Sequence, residues 1–422
     1  MKRLFNTVIC KNYIFTISRM SIFFLFLLML VSMRPWFAWN NLGNMIFALS
    51  ICFLFLRCVL SSKNYSIKNT ILIVIFLAFL VYFMVRMRHA GGLVGILNAI
   101  RAVLVLAFVM AMSIDEKKQI VTMTTNLYAW IVGISMLAYL FVISGIDMPY
   151  STIEVPDNLF YRPFLNYRLF IVSTQTTVFF QRFQSIFTEP GHLSMISALL
   201  LYVNQYELKK KSVLIIFVSV LMTLSLSGYL LMIFGYLIQI VAKSNKMYRT
   251  VLKIVTVTAL LVSIGLIYYS IHPDSMFSRL ILSRLELDEE RGIRGNNRVS
   301  DRFDHFYETH FLASTENILW GMNLTEAEHW ILFGRGGENS HRVFLLNHGV
   351  ISLVLLFLMY FCIVAISPSK LGFGFLILYC LSFLQRIQTH YWEITLVLFM
   401  GAIQYFHTKS ASELISKHKS RI

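Results

Sequence analysis

The sequence predicts an all-α polytopic integral membrane protein, and three observations support this fold class. Hydrophobic residues make up 57% of the 422 residues and charged residues only 14%. The mean hydropathy is +0.68, whereas a soluble globular chain carries about 25% charged residues. Twelve apolar runs also approach the roughly 20 residues that a helix needs to cross a bilayer. We therefore expect about twelve transmembrane helices in a single integral membrane domain, residues 1–422.

The predicted helices follow one another with mostly short connections. They cover residues 13–33, 43–61, 70–88, 92–113, 121–144, 185–205, 212–226, 228–242, 251–271, 343–366, 371–388 and 391–407. The seventh and eighth runs together are too long for one span, and Ser227-Gly228 between them is a turn signal. The first run is not followed by a small-residue cleavage site, so we interpret it as a membrane anchor.

Positive residues orient the predicted helices with both termini in the cytoplasm. In this orientation all sixteen lysines are cytoplasmic, and the sixteen cations outside or within the membrane are all arginines. The net charge of +16 then reflects membrane topology, and no nucleic-acid partner is expected. Arginine binds phosphate or carboxylate through two parallel hydrogen bonds and keeps its proton. The outer arginines predict a site for a polyanionic ligand; compositional drift is the alternative.

Two long outer loops, at about 145–184 and 272–342, are predicted to carry amphipathic helices. The first contains "IEVPDNLFYRPFLNYRLF", which mixes aromatic residues with arginines, and the second holds eight of the outer arginines. Within the second, "SDRFDHFYETHFLAST" has the spacing of helices that lie on a membrane surface. All five cysteines fall in or near predicted spans or at the cytoplasmic end, so we expect no disulfide framework.

The stretch "RFQSIFTEPGHLSM", residues 182–195, places charge at the start of an apolar run. Pro190 suits the first position of a helix with Glu189 as its N-cap, which is an ordinary helix start. Alternatively, a carboxylate beside Arg182 at the membrane boundary holds a sugar hydroxyl or takes its proton. His192, three residues after Glu189, would then belong to the same site. Both interpretations remain open.

A second polar segment, "GRGGENSHRVFLLNHGVIS", leads into a late span. Its glycines permit close approach of a ligand but do not form a nucleotide-binding signature. His341 and Arg342 stand together at the start of the span. Arg101 interrupts another predicted span, where arginines usually face a partner or a polar cavity. The chain has no Walker A motif for ATP-driven transport, and its outer loops contain no evident set of metal ligands.

These two segments, with "NNRVSDRFDHF" and "WGMN" between them, resemble the O-antigen polymerase and O-antigen ligase superfamily. The span pattern is similar over nearly the whole chain, and the specific motifs cover about 180–195 and 296–352. The resemblance implies a metal-independent glycosyltransferase that uses sugars on undecaprenyl pyrophosphate at the periplasmic face of the bacterial inner membrane. By position, Arg182 and Glu189 match the family's Arg…Glu-Pro element.

The resemblance and the residue patterns together give the expected site. Arg298 or Arg302 matches the arginine that opens the outer helix, and His341 matches the histidine before the late span. We expect Glu189 and His341 to be catalytic, without a metal or cofactor. The expected substrate-binding residues are Arg182, His192, Arg298, Arg302, Arg342 and Arg101.

The expected substrates are undecaprenyl-pyrophosphate-linked repeat units within the membrane lipid, and the resemblance implies a chain-length regulator as a partner. An O-antigen polymerase of lipopolysaccharide biosynthesis is the first hypothesis. The second is an O-antigen ligase that transfers the glycan to lipid A–core. Arg342 favours the polymerase, because ligase-like relatives often have asparagine after the histidine. A repeat-unit flippase ranks third, because the charges gather in outer loops.

Overall fold

The structure is a computed structural model that describes much of the chain. The described residues are 19–33, 35–39, 41–60, 71, 74–75, 105, 108–109, 112–154, 163–174, 182–244, 246–275, 278, 287–288, 292–293, 301–322, 324, 328, 332–333, 340–366 and 368–385. The predicted span at 391–407 and most of those at 70–88 and 92–113 lie outside these residues. So do the site candidates Arg101 and Arg298.

Most described residues are helical. The helices are α1 (Arg19–Ser32), α2 (Asn41–Leu60), α3 (Ile114–Ile143), α4 (Pro190–Val203), α5 (Lys211–Met222), α6 (Leu226–Lys243), α7 (Met247–Ile271), α8 (Asp301–Phe306), α9 (Thr315–Trp320), α10 (Ser340–Ile366) and α11 (Lys370–Gln385). A π-helix, Tyr307–Phe311, follows α8, and a 3₁₀ turn, Trp36–Ala38, precedes α2. The strands are β1 (Ser151–Ile153), β2 (Phe164–Asn166), β3 (Ile171–Ser173), β4 (Leu287–Asp288) and β5 (Gly292–Ile293).

In the described part of the chain, three helices are long and apolar enough to cross a membrane. They are Asp115–Ile143 within α3, all of α6, and His341–Ile366 within α10. Shorter apolar helices occur in α1, α2, α4, α5 and α11. The molecule therefore agrees with the prediction of a helical membrane protein, while the number of spans and their orientation stay predictions.

The break between α5 and α6 lies earlier than the predicted Ser227-Gly228 turn. Helix α5 ends at Met222, and α6 begins at Leu226 after the left-handed residue Leu224, whose φ is 47°. Gly228 lies in the first turn of α6, where the hydroxyl of the N-cap Ser225 accepts a hydrogen bond from its N–H. A Cβ at position 228 would collide with the Ser194 side chain of α4. This glycine thus permits close helix packing.

The first of the two predicted outer loops contains a sheet where amphipathic helices were expected. Strands β1, β2 and β3 pair antiparallel in sequence order, with Ser151 opposite Asn166 and Phe164 opposite Ser173. Aromatic and β-branched residues in these segments favour strands, and Leu165 and Val172 pack on the main core. The all-α prediction is therefore wrong in this loop. The second loop contains the helices α8 and α9, as expected, together with a short hairpin of β4 and β5.

Helix α4 is the centre of the core, because every residue in it except Pro190 and His192 is buried. It packs against α5, α6 and α11. Helix α6 runs parallel to it: Gly228 meets Ser194 near both N-termini. Just beyond the C-terminus of α4, the Tyr206 hydroxyl donates a 2.8 Å hydrogen bond to the carbonyl of Met232, further along α6.

The helices α3 and α11 run antiparallel to α4. Asn204, at the C-terminus of α4, donates a 2.8 Å hydrogen bond to Thr125 early in α3. Tyr202 donates a 3.0 Å bond to the carbonyl of Leu371 at the start of α11. Helix α10 is in turn antiparallel to α11, because Phe344 stacks edge-on against Phe383 with 5.2 Å between ring centroids.

The bundle therefore has two chemically different ends. One end gathers the N-termini of α4, α6 and α10 with the C-termini of α3, α5 and α11, and it carries Arg182 and Arg342. We call it the arginine end. The opposite end carries lysines at helix termini: Lys117, Lys118, Lys211, Lys243 and Lys370.

Candidate functional site

The coil of residues 182–189, which leads into α4, is held in place by backbone hydrogen bonds from three directions. Phe183 N–H donates to the carbonyl of Met222 at the end of α5 over 3.4 Å. Two further bonds arrive from Trp36 N–H to the Ile186 carbonyl, 3.0 Å, and from Ile171 N–H to the Ser185 carbonyl, 2.9 Å. The coil is thus pre-organised at the arginine end.

Arg182 is bound to the end of α5. Its Nε donates a 3.1 Å hydrogen bond to the carbonyl of Thr223, the C-cap residue of that helix. Its charge also acts on the phenol group of Tyr229 in the first turn of α6. The guanidinium therefore lies between the end of α5 and the start of α6, and the bond through Nε orients its fork of donors.

Glu189 is the N-cap residue of α4 and Pro190 is its first residue, as the sequence predicted. The Glu189 side chain makes no capping hydrogen bond. The interpretation of this stretch as an ordinary helix start is therefore correct for the position of Glu189, but the carboxylate does not cap the helix. Glu189 is partly exposed, whereas residues 183–188 before it are buried.

His192 lies in the first turn of α4, next to Glu189. Its backbone N–H donates a 3.1 Å hydrogen bond to the Glu189 carbonyl, and Nδ1 of its ring lies 3.2 Å from the Thr188 hydroxyl. The hydroxyl can donate or accept, so this contact orients the imidazole ring in either tautomer. His192 and Glu189 thus face the same boundary of the buried helix.

Two helix N-termini lie side by side beside Arg182. Because α4 and α6 run parallel with Gly228 against Ser194, their first turns are adjacent. Each helix N-terminus is equivalent to roughly half a positive charge. Together with the guanidinium, the two termini create a positive region that suits an anionic group such as a phosphate.

His341 also lies at the arginine end, at the start of α10. Its Nδ1 is 3.2 Å from the carbonyl oxygen of Leu384 near the end of α11. A carbonyl can only accept, so this contact places the ring proton on Nδ1 and makes Nε2 the basic nitrogen of the neutral ring. The contact therefore holds the ring in the tautomer whose Nε2 can accept a proton.

Arg342 contacts the second of the two predicted outer loops. Its Nη1 forms an ion pair with Asp304 of α8, and its guanidinium lies over the Tyr307 ring, 4.4 Å from the centroid. Burial raises the pKa of Tyr307, and the Arg342 charge opposes that rise. The predicted ligand-binding arginine therefore has a structural partner in α8.

A small hydrophobic core forms around this ion pair. Phe303, Tyr307 and Phe311 pack with Phe333 and with Leu346 of α10. The backbone of Met322 also donates a 2.6 Å hydrogen bond to the Leu346 carbonyl. Helices α8 and α9 are thus fixed to the N-terminal part of α10, just before that helix breaks at Gly349.

The structure brings Arg182, Glu189, His192, His341 and Arg342 to one end of the bundle. Arg302 lies exposed on α8, near the ion pair of Asp304. Sequence reasoning missed Asp304, Gly321 and Gly349. The sequence shows the glycines in "WGMN" and "NHGV". It does not show that these two segments, almost thirty residues apart, contact each other. The functional roles of all these residues stay predictions.

Comparisons of the chain with family models, with curated proteins and with solved structures gave no match.

Proposed function

We propose that this protein is an O-antigen polymerase of the bacterial inner membrane. It joins undecaprenyl-pyrophosphate-linked oligosaccharide repeat units at the periplasmic face. The proposal includes about twelve transmembrane helices with both termini in the cytoplasm, so that the arginine end faces the periplasm and the lysine-bearing helix ends face the cytoplasm.

One observation carries the proposal: Arg182 lies beside the paired N-termini of α4 and α6. This arrangement offers a fixed positive charge and two helix dipoles to one anionic group. A pyrophosphate at the membrane boundary matches this charge without a metal ion. The resemblance of the motifs around Arg182 and His341 to the polymerase and ligase superfamily supports the same substrate class.

In the proposed reaction, a hydroxyl oxygen of the incoming repeat unit attacks the anomeric carbon of the growing glycan. A new glycosidic bond forms as the bond from that carbon to the pyrophosphate oxygen breaks. The electron pair leaves with undecaprenyl pyrophosphate, and Arg182 with the helix N-termini stabilises the growing negative charge.

The hydroxyl proton passes to a base at the arginine end. Glu189 and His341 are the two candidates, the first as a carboxylate at the start of α4 and the second through Nε2. His192, held by Thr188 one turn from Glu189, is suited to bind a substrate hydroxyl.

The test is a reaction of the purified protein with undecaprenyl-pyrophosphate-linked repeat units, with and without lipid A–core, resolved on a gel. We expect a ladder of products without lipid A–core. Transfer only in the presence of lipid A–core would identify a ligase. If no glycosidic bond forms under either condition, while vesicles containing the protein move the lipid-linked unit across the bilayer, a flippase is indicated. The Arg182→Ala protein is the background control for the ladder.

A further inference from the structure

Three hydrogen-bonding groups beside the proposed pyrophosphate position are buried without a partner among the described residues. They are the Trp36 indole N–H, the Nε2 group of the Gln184 side chain and the Ser185 hydroxyl. The exposed fraction of Gln184 is 4% and that of Ser185 is 0%. Since burying an unbonded polar group destabilises a fold, these groups call for a functional explanation.

Two of these residues lie in the coil that precedes α4, and Trp36, in the 3₁₀ turn before α2, is hydrogen-bonded to that coil. Gln184 and Ser185 are adjacent, and the backbone N–H of Trp36 donates a 3.0 Å hydrogen bond to the Ile186 carbonyl. The same coil begins at Arg182 and ends at Glu189. The unbonded groups therefore belong to the immediate surroundings of the proposed reaction site.

Ser185 adopts a backbone conformation that side chains disfavour. Its φ is 53°, within a turn that Phe187 N–H closes by donating a 3.1 Å hydrogen bond to the Gln184 carbonyl. Glycine is the residue that adopts positive φ without strain. Strained residues that the surrounding structure holds in place cluster at ligand sites. A serine here retains a hydroxyl where glycine would be more stable.

The chemistry of the three groups differs from that of Arg182. The indole N–H and the amide NH₂ are neutral donors, and the hydroxyl can donate as well. Such donors suit the uncharged oxygen atoms of a sugar, its hydroxyls and any N-acetyl carbonyl. The Trp36 residue is partly exposed, so its ring offers the flat apolar surface that accompanies polar groups in ligand sites.

We propose that Trp36, Gln184 and Ser185 form a subsite for the first sugar of the lipid-linked glycan. The subsite holds the sugar that is bonded to the pyrophosphate, while Arg182 and the helix N-termini hold the pyrophosphate itself. This assignment rests on the proposed function, because it assumes a lipid-pyrophosphate-linked sugar as the ligand.

The test compares the affinity of the purified full chain for two lipids. One is undecaprenyl diphosphate, and the other is undecaprenyl diphosphate carrying one N-acetylglucosamine. In Gln184→Leu, an apolar side chain of similar size replaces the amide. We expect affinity for the sugar-bearing lipid to fall about fivefold and affinity for the bare lipid to stay unchanged. The melting temperature should hold or rise, because a buried Nε2 group without a hydrogen-bond partner has been removed.

Trp36→Phe provides a second variant, since it keeps an aromatic ring and removes the N–H. The same selective loss of affinity is expected. Trp39→Phe is the matched control at the end of the same turn, where the ring packs on Phe164 with 5.8 Å between centroids, and it should leave both affinities unchanged.

Each other outcome overturns a specific claim. Equal losses for both lipids would assign the groups to the phosphates and refute the sugar subsite. A lower melting temperature of Gln184→Leu with unchanged affinities would show that the amide is bonded within the folded protein, which also refutes it. A wild-type protein that binds neither lipid would instead refute the proposed function.

Discussion

Gly321 at the end of α9 packs directly against Gly349 in α10, and both adopt positive φ angles, 76° and 73°. A Cβ on Gly349 would lie 2.6 Å from the backbone nitrogen of Gly321, and a Cβ on Gly321 would lie 2.6 Å from that of His348. Helix α10 breaks at Gly349. The two glycines therefore let the end of α9 approach the broken helix α10 until their backbones are in contact.

Gly349→Ala should destabilise the protein strongly, because the new methyl group meets backbone atoms that cannot rotate away. We expect a loss on the order of 3 kcal/mol or more. Gly145→Ala is the matched control: its φ is 85° and a Cβ there meets nothing within 4 Å. Conformational strain alone should cost about 1 kcal/mol at that position. Thermal unfolding in detergent measures both variants, and equal effects would show that the close approach contributes nothing.

The pair of Arg342 and Asp304 should hold α8, and the helices that follow it, onto α10. Both side chains are partly exposed, 23% and 29%, so the coupling energy should be only about 1 kcal/mol. A double-mutant cycle of Asp304→Asn and Arg342→Gln measures it by chemical unfolding. Glutamine removes the charge together with the planar fork that pairs with Asp304 and lies over Tyr307. Limited proteolysis within 301–322 should also accelerate in both variants.

The exposed pair of Glu207 and Lys210, 2.9 Å apart, serves as the control for that cycle. Its coupling energy should be about 0.3 kcal/mol, because both of its side chains are more exposed than those of Arg342 and Asp304. A coupling for Arg342 and Asp304 no larger than this would contradict the anchoring role.

Gly228→Ala should disrupt the packing of α6 on α4, since the added methyl group collides with the Ser194 side chain. Overpacking of this kind costs about 1–3 kcal/mol. Gly133→Ala is the control in α3, where a Cβ would meet Ile215 at 3.4 Å, close to ordinary contact. Alanine there should be neutral or stabilising because of its helix propensity.

Ser194→Gly should restore part of the stability in the Gly228→Ala background. The readout is the midpoint of thermal unfolding. If Gly228→Ala and Gly133→Ala unfold at the same temperature, the parallel packing of α4 and α6 assigned to this glycine is wrong.

Arg182→Lys should lower the rate of glycan extension while the protein still folds. Lysine lacks the Nε that bonds the Thr223 carbonyl and lacks the fork that binds a phosphate bidentately. We expect a reduction of about 100-fold to 1000-fold, as for the loss of one fixed donor to a developing anion. The measurement is the rate at which the product ladder forms with purified repeat units. Arg168→Lys, an exposed change in the first outer loop, should leave the ladder intact.

The sequence by itself determined the features that depend on each residue's own chemistry. Apolar side chains partition into lipid whatever their neighbours are, so the helical membrane character followed from hydropathy. Proline at 190 favours a helix start through its own fixed φ, and α4 begins there. The positions of Arg182, Glu189 and His341 as site candidates likewise came from local charge patterns, although their roles remain predictions.

Only the tertiary structure decided which distant residues meet. Gly228 has the sequence of a turn, but its contact with Ser194 makes it a packing glycine inside α6. Arg342 has the appearance of a ligand-binding cation, and Asp304, thirty-eight positions away in the chain, pairs with it. Gln184 and Ser185 are unremarkable in sequence, because a missing hydrogen bond exists only once surrounding elements bury the group. These properties depend on contacts between helices, which no local pattern encodes.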